Sequence, residues 1–283
     1  MSWRIIDCFK ENNSEKYLIL LENNSIIEVG AIIHNSFMHL CFPTQIGCAI
    51  NCLHCSTTYS DYPFLGNIKY DHMDSMILYF LEKYKHFKDK LILSFSSHGE
   101  PSLNWQAVLQ IIYKYKDVFC KIFITTIGSK SMFNNILNLN IDYITLYISV
   151  HNADDIKRAA LIPKKNTDQA NLSDIIYFTN KYIKKGGKVV WNYMMYNGNC
   201  SIKDANCLLD LLKQIKYKLD VRLTDYINIT PKIIPAKKNE LDSFVEYINN
   251  NRNTNITFRR SIVEGSGIGV ACGQMRATKQ KDC

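Results

Sequence analysis

Three cysteines, Cys48, Cys52 and Cys55, stand at C-x3-C-x2-C spacing in the run Thr44-Gln-Ile-Gly-Cys48-Ala-Ile-Asn-Cys52-Leu-His-Cys55. A loop this short can clamp one small inorganic centre with three thiolates. A cuboidal four-iron cluster normally takes four cysteines. Three local thiolates therefore leave one iron open for a substrate or cofactor. The competing reading is a structural zinc site with His54 or Cys41 as fourth ligand. Zinc sites usually pair one C-x2-C with a second, or with histidines, and no second pair has that spacing here. A disulfide is weaker still, because loop cysteines of an intracellular chain are more often metal-binding or catalytic. The spacing favours a [4Fe-4S] cluster on Cys48, Cys52 and Cys55. An open iron of this kind can chelate S-adenosylmethionine through its amino and carboxylate groups.

Three further polar groups follow expected strands: Ser97-His98-Gly99-Glu100-Pro101, Thr125-Thr126-Ile127-Gly128 and Ser149-Val150-His151-Asn152. Each alone is common loop chemistry; three at successive strand ends read as one site. Glu100 can accept from an ammonium group, and the hydroxyls can hold a sugar or carboxylate. His151 reads equally as a ligand contact or a satisfied structural histidine. Cys272 lies in the glycine-rich segment Gly265-Ser-Gly-Ile-Gly-Val-Ala-Cys272-Gly, and Cys41 precedes Cys48 at a strand end. Two thiols near a radical centre suggest covalent or redox work, without saying which. Cys120 and Cys207 read as buried and inert. Cys8, Cys200 and Cys283 carry no spacing signal.

The elements that must position these groups alternate. Residues 16–42 read as a β-meander, with strands at Lys16–Glu22, Ile26–Ile33 and Phe37–Phe42. Met73, Met76, Ile77, Phe80, Leu81, Tyr84 and Phe87 form a 3.6-period stripe that predicts a core-facing helix with Asp71 as N-cap. Further strands are expected at Leu91–Ser96, Lys121–Thr126, Tyr143–Val150, Lys188–Tyr196, Leu219–Tyr226 and Ile256–Arg260. Helices are expected at Trp105–Lys116, Ser131–Leu139, Leu172–Lys184, Lys203–Lys216 and Glu240–Asn250. This alternation predicts an α/β fold of parallel strands, a partial (β/α)6 barrel with its chemistry at the strand C-termini. No internal repeat or low-complexity linker interrupts it.

Hydrophobic residues make up 47% and charged residues 21%, which excludes a disordered chain. Met1–Lys10 lacks the apolar core of a secretory signal, and no apolar run reaches membrane-spanning length. A cytoplasmic protein with reduced thiols and no membrane partner is expected. The net charge is +8, with basic residues gathered at 181–188, 232–238, 259–260 and 276–281. A phosphate-bearing partner would gain from that field, although lysine-rich surfaces also merely solvate helix ends.

Four features together resemble the RlmN/Cfr family of radical S-adenosylmethionine methyltransferases, along about Lys16 to Met275. They are Leu40-Cys41 ahead of Gln45-Ile-Gly-Cys48, the cysteine triad, Gly99-Glu100-Pro101 with Leu103-Asn104, and Ala271-Cys272-Gly273-Gln274. Ser149-Val-His151 with Pro163, and Tyr193-Met-Met195, add support. The resemblance implies methylation of an sp2 ring carbon of adenosine in RNA (rRNA or tRNA), with two S-adenosylmethionine molecules per turnover. Cys272 would carry the methyl group, Cys41 would resolve the substrate adduct through a disulfide, and Glu28 would accept a proton. Gly99, Glu100, Thr125, Ser149, Val150 and His151 match cofactor-holding positions, and Asn228 matches a further one with a one-residue slip. A donor such as flavodoxin or ferredoxin would supply electrons, and a monomer is expected.

The expected division is a β-meander extension over 1–40, a radical barrel with its catalytic-cysteine loop over 41–275, and a tail over 276–283. Family members carry a sizeable N-terminal RNA-contacting domain that has almost no counterpart here. Gly66 stands where arginine is usual, His98 where methionine is usual and Asp154 where asparagine is usual. These departures fall on the substrate side. The alternatives are the same chemistry on a small molecule, nucleotide or peptide, and a non-catalytic iron–sulfur or zinc protein that binds RNA.

Overall fold

The computed structural model describes residues 3–261, apart from 12, 35, 61, 62, 140 and 164–166. These residues fall into two compact units, one within Met1–Ile50 and Ser56–Thr125, the other within Asn51–Cys55 and Thr126–Glu264.

The first unit opens with β1 (Trp3–Glu11), β2 (Ser14–Leu21), β3 (Ile26–Ile33) and β4 (Met38–Phe42), each paired antiparallel with the next. β1 was absent from the sequence expectation. Its pattern does not alternate cleanly, and its long-range anchor is Trp3, whose Nε1 donates to Ser75 Oγ at 2.9 Å. Two short strands, β5 (Gln45–Ile46) and β6 (Gly66–Asn67), pair with each other around the cysteine loop. The expected core helix is α1 (Tyr70–Lys83), which buries Met73, Met76, Ile77 and Phe80. Lys69, not Asp71, holds the N-cap position, and no side chain caps it; Asp71 lies in the first turn, where a carboxylate complements the helix dipole. β7 (Leu91–Phe95), α2 (Trp105–Tyr115) and β8 (Lys121–Thr126) complete the unit, with β4, β7 and β8 parallel neighbours.

Side chains of a strand alternate between faces, and register partners share one. Tyr17 packs on Phe80 of α1, with ring centroids 5.0 Å apart. On the opposite face, register sets Lys16, Gly30, Cys41, Ser94 and Phe123 side by side, one each from β2, β3, β4, β7 and β8. Glu28 and Thr125, two residues along their strands, share that face. One face of the sheet therefore builds the core, and the other collects polar groups.

The second unit runs α3 (Lys130–Asn138), β9 (Ile144–Ser149), α4 (Asp155–Leu161), α5 (Leu172–Lys184), β10 (Lys188–Met195), α6 (Ile202–Leu212), β11 (Leu219–Asp225), α7 (Lys238–Asn251) and β12 (Ile256–Ser261). Strands β9 to β12 are successive parallel neighbours. Trp191 and Tyr193 are buried on β10, and Phe133 of α3 stacks on Phe178 of α5 with centroids 3.9 Å apart. Asn171 with Asp174, and Ser201 with Asp204, form reciprocal capping boxes that start α5 and α6. The unexpected α4 is capped by Asp154, whose Oδ1 accepts from Ile156 N and Lys157 N. No described helix is long and apolar enough to cross a membrane.

Candidate active site

The predicted residues form a set in each unit. In the first, the cysteine loop is tied to the Gly-Glu-Pro loop by side-chain amides. Gln45 Oε1 accepts from Glu100 N at 3.1 Å, and Gln45 Nε2 donates to Asn67 Oδ1 at 2.8 Å. Asn104 Nδ2 donates to the carbonyls of Thr44 and Ile68 at 2.8 and 2.9 Å, and Thr44 N donates to the His98 carbonyl at 2.8 Å. Gly99 has φ +90°, and a Cβ there would meet Gln45 side-chain carbons at 2.6 Å, so no larger residue fits. These contacts give Leu103-Asn104 and Gln45-Ile-Gly a physical reason: they fix the chain entering the half-buried Cys48. Glu100 is buried, and its Oε1 accepts from Ser102 N at 3.1 Å. Thr125 is half-buried near the end of β8.

Cys41 is half-buried on the polar face of the same unit. A Cβ on Gly30 would lie 3.4 Å from Cys41 Cβ and 4.0 Å from Lys16 Cε, so glycine leaves room for no more than a methyl group between these two side chains. Glu28 is fully buried, not a surface strand carboxylate. Lys16 Nζ and His98 Nε2 each stand 3.5 Å from its Oε2.

In the second unit, Cys52 is buried, Cys55 is half-buried and Cys55 N donates to the Cys52 carbonyl at 3.1 Å. Leu53 N donates to the Leu161 carbonyl at 2.9 Å, anchoring this turn at the end of α4. The His54 ring lies edge-on to His151 with centroids 4.8 Å apart. Burial pushes His54 down to about 4; burial, then the charges of His54 and Arg158, push His151 well below the usual histidine range. Both rings are neutral at neutral pH. His151 adopts a left-handed φ of 56°, its Nδ1 accepts from Met194 N at 3.1 Å, and its carbonyl accepts from Asn199 Nδ2 at 2.8 Å. One ring nitrogen is thus committed to structure. Ser149 is half-buried and Val150 buried at the end of β9, where Val150 N donates to the Asn192 carbonyl at 3.0 Å. Asn228 is exposed beyond β11.

Sequence reasoning missed Arg158. Its side chain is buried in the second unit, and its guanidinium donates to the carbonyls of Ala170, Ile127 and Ser149. It thereby gathers the chain after β8 and the end of β9. An arginine on a short helix gives no sequence signal for that role. Cys120 and Cys207 are exposed, against expectation. Cys120 precedes β8, and α6 turns Ala205, Leu208, Leu209 and Leu212 inward instead of Cys207. Cys272 lies outside the described residues.

Among the described residues, no three His, Cys, Asp or Glu side chains are grouped to hold one metal ion. A cuboidal cluster takes one thiolate per iron, so its ligands need not meet at one point. Soft sulfur donors and the loop ties around them suit such a cluster.

No family model matches the chain. It is 26% identical over 289 residues to the probable dual-specificity RNA methyltransferase RlmN of Thermotoga petrophila, covering 95% of this chain and 78% of the relative. The protein of that name from Finegoldia magna is 29% identical, with 94% and 76% covered. The crystal structure of a radical SAM methyltransferase from Sphaerobacter thermophilus matches with a TM-score of 0.83 at 20% identity, over 96% of this chain and 81% of that one. That likeness shows the fold, an α/β architecture with parallel strands. Similarity to proteins named RlmN RNA methyltransferases thus runs along nearly the whole sequence.

Proposed function

We propose that the protein is a radical S-adenosylmethionine-dependent C-methyltransferase that works through a methylated Cys272 on an sp2 ring carbon of adenosine in RNA. The observation that carries this reading is the cysteine loop tied to the Gly-Glu-Pro loop, in a chain similar along 95% of its length to a protein named an RNA methyltransferase. Cys48, Cys52 and Cys55 would hold a [4Fe-4S] cluster, which when bound supplies reductive cleavage of S-adenosylmethionine to a 5′-deoxyadenosyl radical. Glu100, Thr125, Ser149, Val150, His151 and Asn228 are the residues proposed to hold that cofactor beside Gly99. Cys272 would take a methyl group from one S-adenosylmethionine and present its carbon to the substrate. Glu28 would accept the proton leaving the ring carbon. Cys41 thiolate would then attack the Cys272 sulfur, forming a disulfide as the sulfur–carbon bond breaks; its electron pair would stay on the departing product carbon, which takes up a proton to become the methyl group. A flavodoxin or ferredoxin would return electrons, and the chain would act as a cytoplasmic monomer.

The test is anaerobic, reconstituted protein with methyl-labelled S-adenosylmethionine and reductant, offered total RNA or a small-molecule extract. Label on RNA adenosine through Cys272 supports the reading. Label that stops on Cys272 with RNA but moves into the extract would replace RNA by a small substrate. No label on Cys272 and no cofactor cleavage would leave a non-catalytic iron–sulfur protein. Cys272→Ala is expected to abolish transfer while cofactor cleavage persists, and Cys41→Ala to trap substrate on the protein. Undiminished product from Cys272→Ala would sink the covalent mechanism.

A further inference from the structure

Glu28 is fully buried, and so are both ring nitrogens of His98 and the Lys16 ammonium. Neither Lys16 Nζ nor the His98 ring makes a hydrogen bond among the described residues. Both reach Glu28 only at 3.5 Å, longer than the roughly 2.7–2.9 Å of a charge-assisted hydrogen bond. A buried ion pair stabilises a fold only when geometry is close and the remaining protons find partners. An apolar trio of similar volume would serve stability better. This cluster instead holds a buried carboxylate on the face that carries Cys41.

We propose that His98 is a positioning residue that, with Lys16, keeps Glu28 ionised and aimed as the proton acceptor of the transfer reaction. The inference rests on the reading under Proposed function. It assigns a role to the position where this chain departs from the family's usual methionine. The charged and titratable groups that register places on this face are Arg4 and Asp7 from β1, Lys16 from β2, His39 and Cys41 from β4 and Lys121 from β8, with His98 joining from the loop after β7. The Lys16 cation, and a His98 ring N–H turned toward Oε2 as the proton leaves the substrate, would favour the charged carboxylate, so losing either would make Glu28 hold its proton more tightly. The Glu28 proton acceptor then fails at the acid end of the working range first.

The experiment compares wild type, His98→Met and His98→Gln, with total RNA and methyl-labelled S-adenosylmethionine, across pH. Cofactor cleavage and label on Cys272 report that each variant is folded and loaded. Expected for His98→Met is an acid limb of kcat raised by about one pH unit, with KM for RNA unchanged within about twofold. His98→Gln, which keeps a donor, should restore the wild-type limb. A His98→Met profile that superimposes on wild type overturns the positioning role while the transfer reading stands. Should His98→Met fail to fold, a His98→Gln limb displaced as far as that of Lys16→Met overturns it equally. A wild-type protein that moves no label to RNA overturns the functional reading, and this inference with it.

Discussion

At the scale of single residues, charge state depends on which neighbours the fold supplies. Burial alone would raise the Glu15 carboxyl, but hydrogen bonds from Lys10, Tyr17 and Tyr84 outweigh it and hold Glu15 at about 2, below its ordinary 4.5. Tyr84 Oη donates to Glu15 at 2.8 Å, and Lys10 Nζ pairs with it at 2.8 Å. A depressed carboxylate contributes stability that is present above its ordinary value and lost as pH falls from about 4.5 through about 2. With solvent screening of the exposed Lys10 partner, Glu15→Gln is expected to remove on the order of 1 kcal/mol of that acid-sensitive stability. Denaturant unfolding at pH 7, 4 and 2 reads it, and parallel losses in wild type and variant would discredit the network. The sequence showed Glu15, Tyr17 and Tyr84 as ordinary residues of a strand and a helix. Nothing in their spacing announced that α1 would lay Tyr84 over β2.

Between elements, side-chain amides matter more than charges. Asn104 closes the loop after β7 onto the strand that leads to Cys48, and both its donors go to buried carbonyls. Asn104→Ala would leave the carbonyls of Thr44 and Ile68 without it, destabilising the protein by about 2–3 kcal/mol. Cluster retention should also drop, measured as iron per chain after gel filtration. Unchanged thermal stability together with full iron content would show that the tie is dispensable. Gly99→Ala is expected to be worse, because the added Cβ meets Gln45 at 2.6 Å from a backbone at φ +90°. Its effect is measured as a rise in the KM for S-adenosylmethionine; a wild-type KM would argue that the loop adapts. The motif spacing pointed to these loops, yet not to how they are joined. Gln45 and Asn104 carried the family resemblance, and only the fold shows them as its fasteners.

For the whole molecule, the formal net charge of +8 bears on the partner and not on the fold. If the substrate is RNA, each phosphate neutralised by lysine or arginine releases a counterion, and affinity falls steeply with salt. A gain of several phosphate contacts predicts a loss of at least about tenfold in affinity for structured RNA between 50 and 200 mM salt. Filter binding at fixed temperature checks it. A flat response would move the weight to a small-molecule substrate, for which the basic runs are only solvated helix ends.

What the sequence determined by itself is what covalent spacing and periodicity determine. Three thiols within eight residues remain neighbours in almost any loop, and Leu172–Lys184 and Lys121–Thr126 matched their expected bounds because their apolar patterns are complete within one element. Lys203–Lys216 proved longer than α6 (Ile202–Leu212), since polar helix ends carry no period to read. Tertiary structure alone decided the rest: β1 as a partner of β2, the exposure of Cys120 and Cys207, and the buried meeting of Lys16, Glu28 and His98. Each depends on strand register or on which helix face turns inward. A one-residue slip of β2 against β3 would carry Lys16 to the α1 face and leave Glu28 without its cation. Register is set by the packing of the entire sheet, so no local pattern contains it.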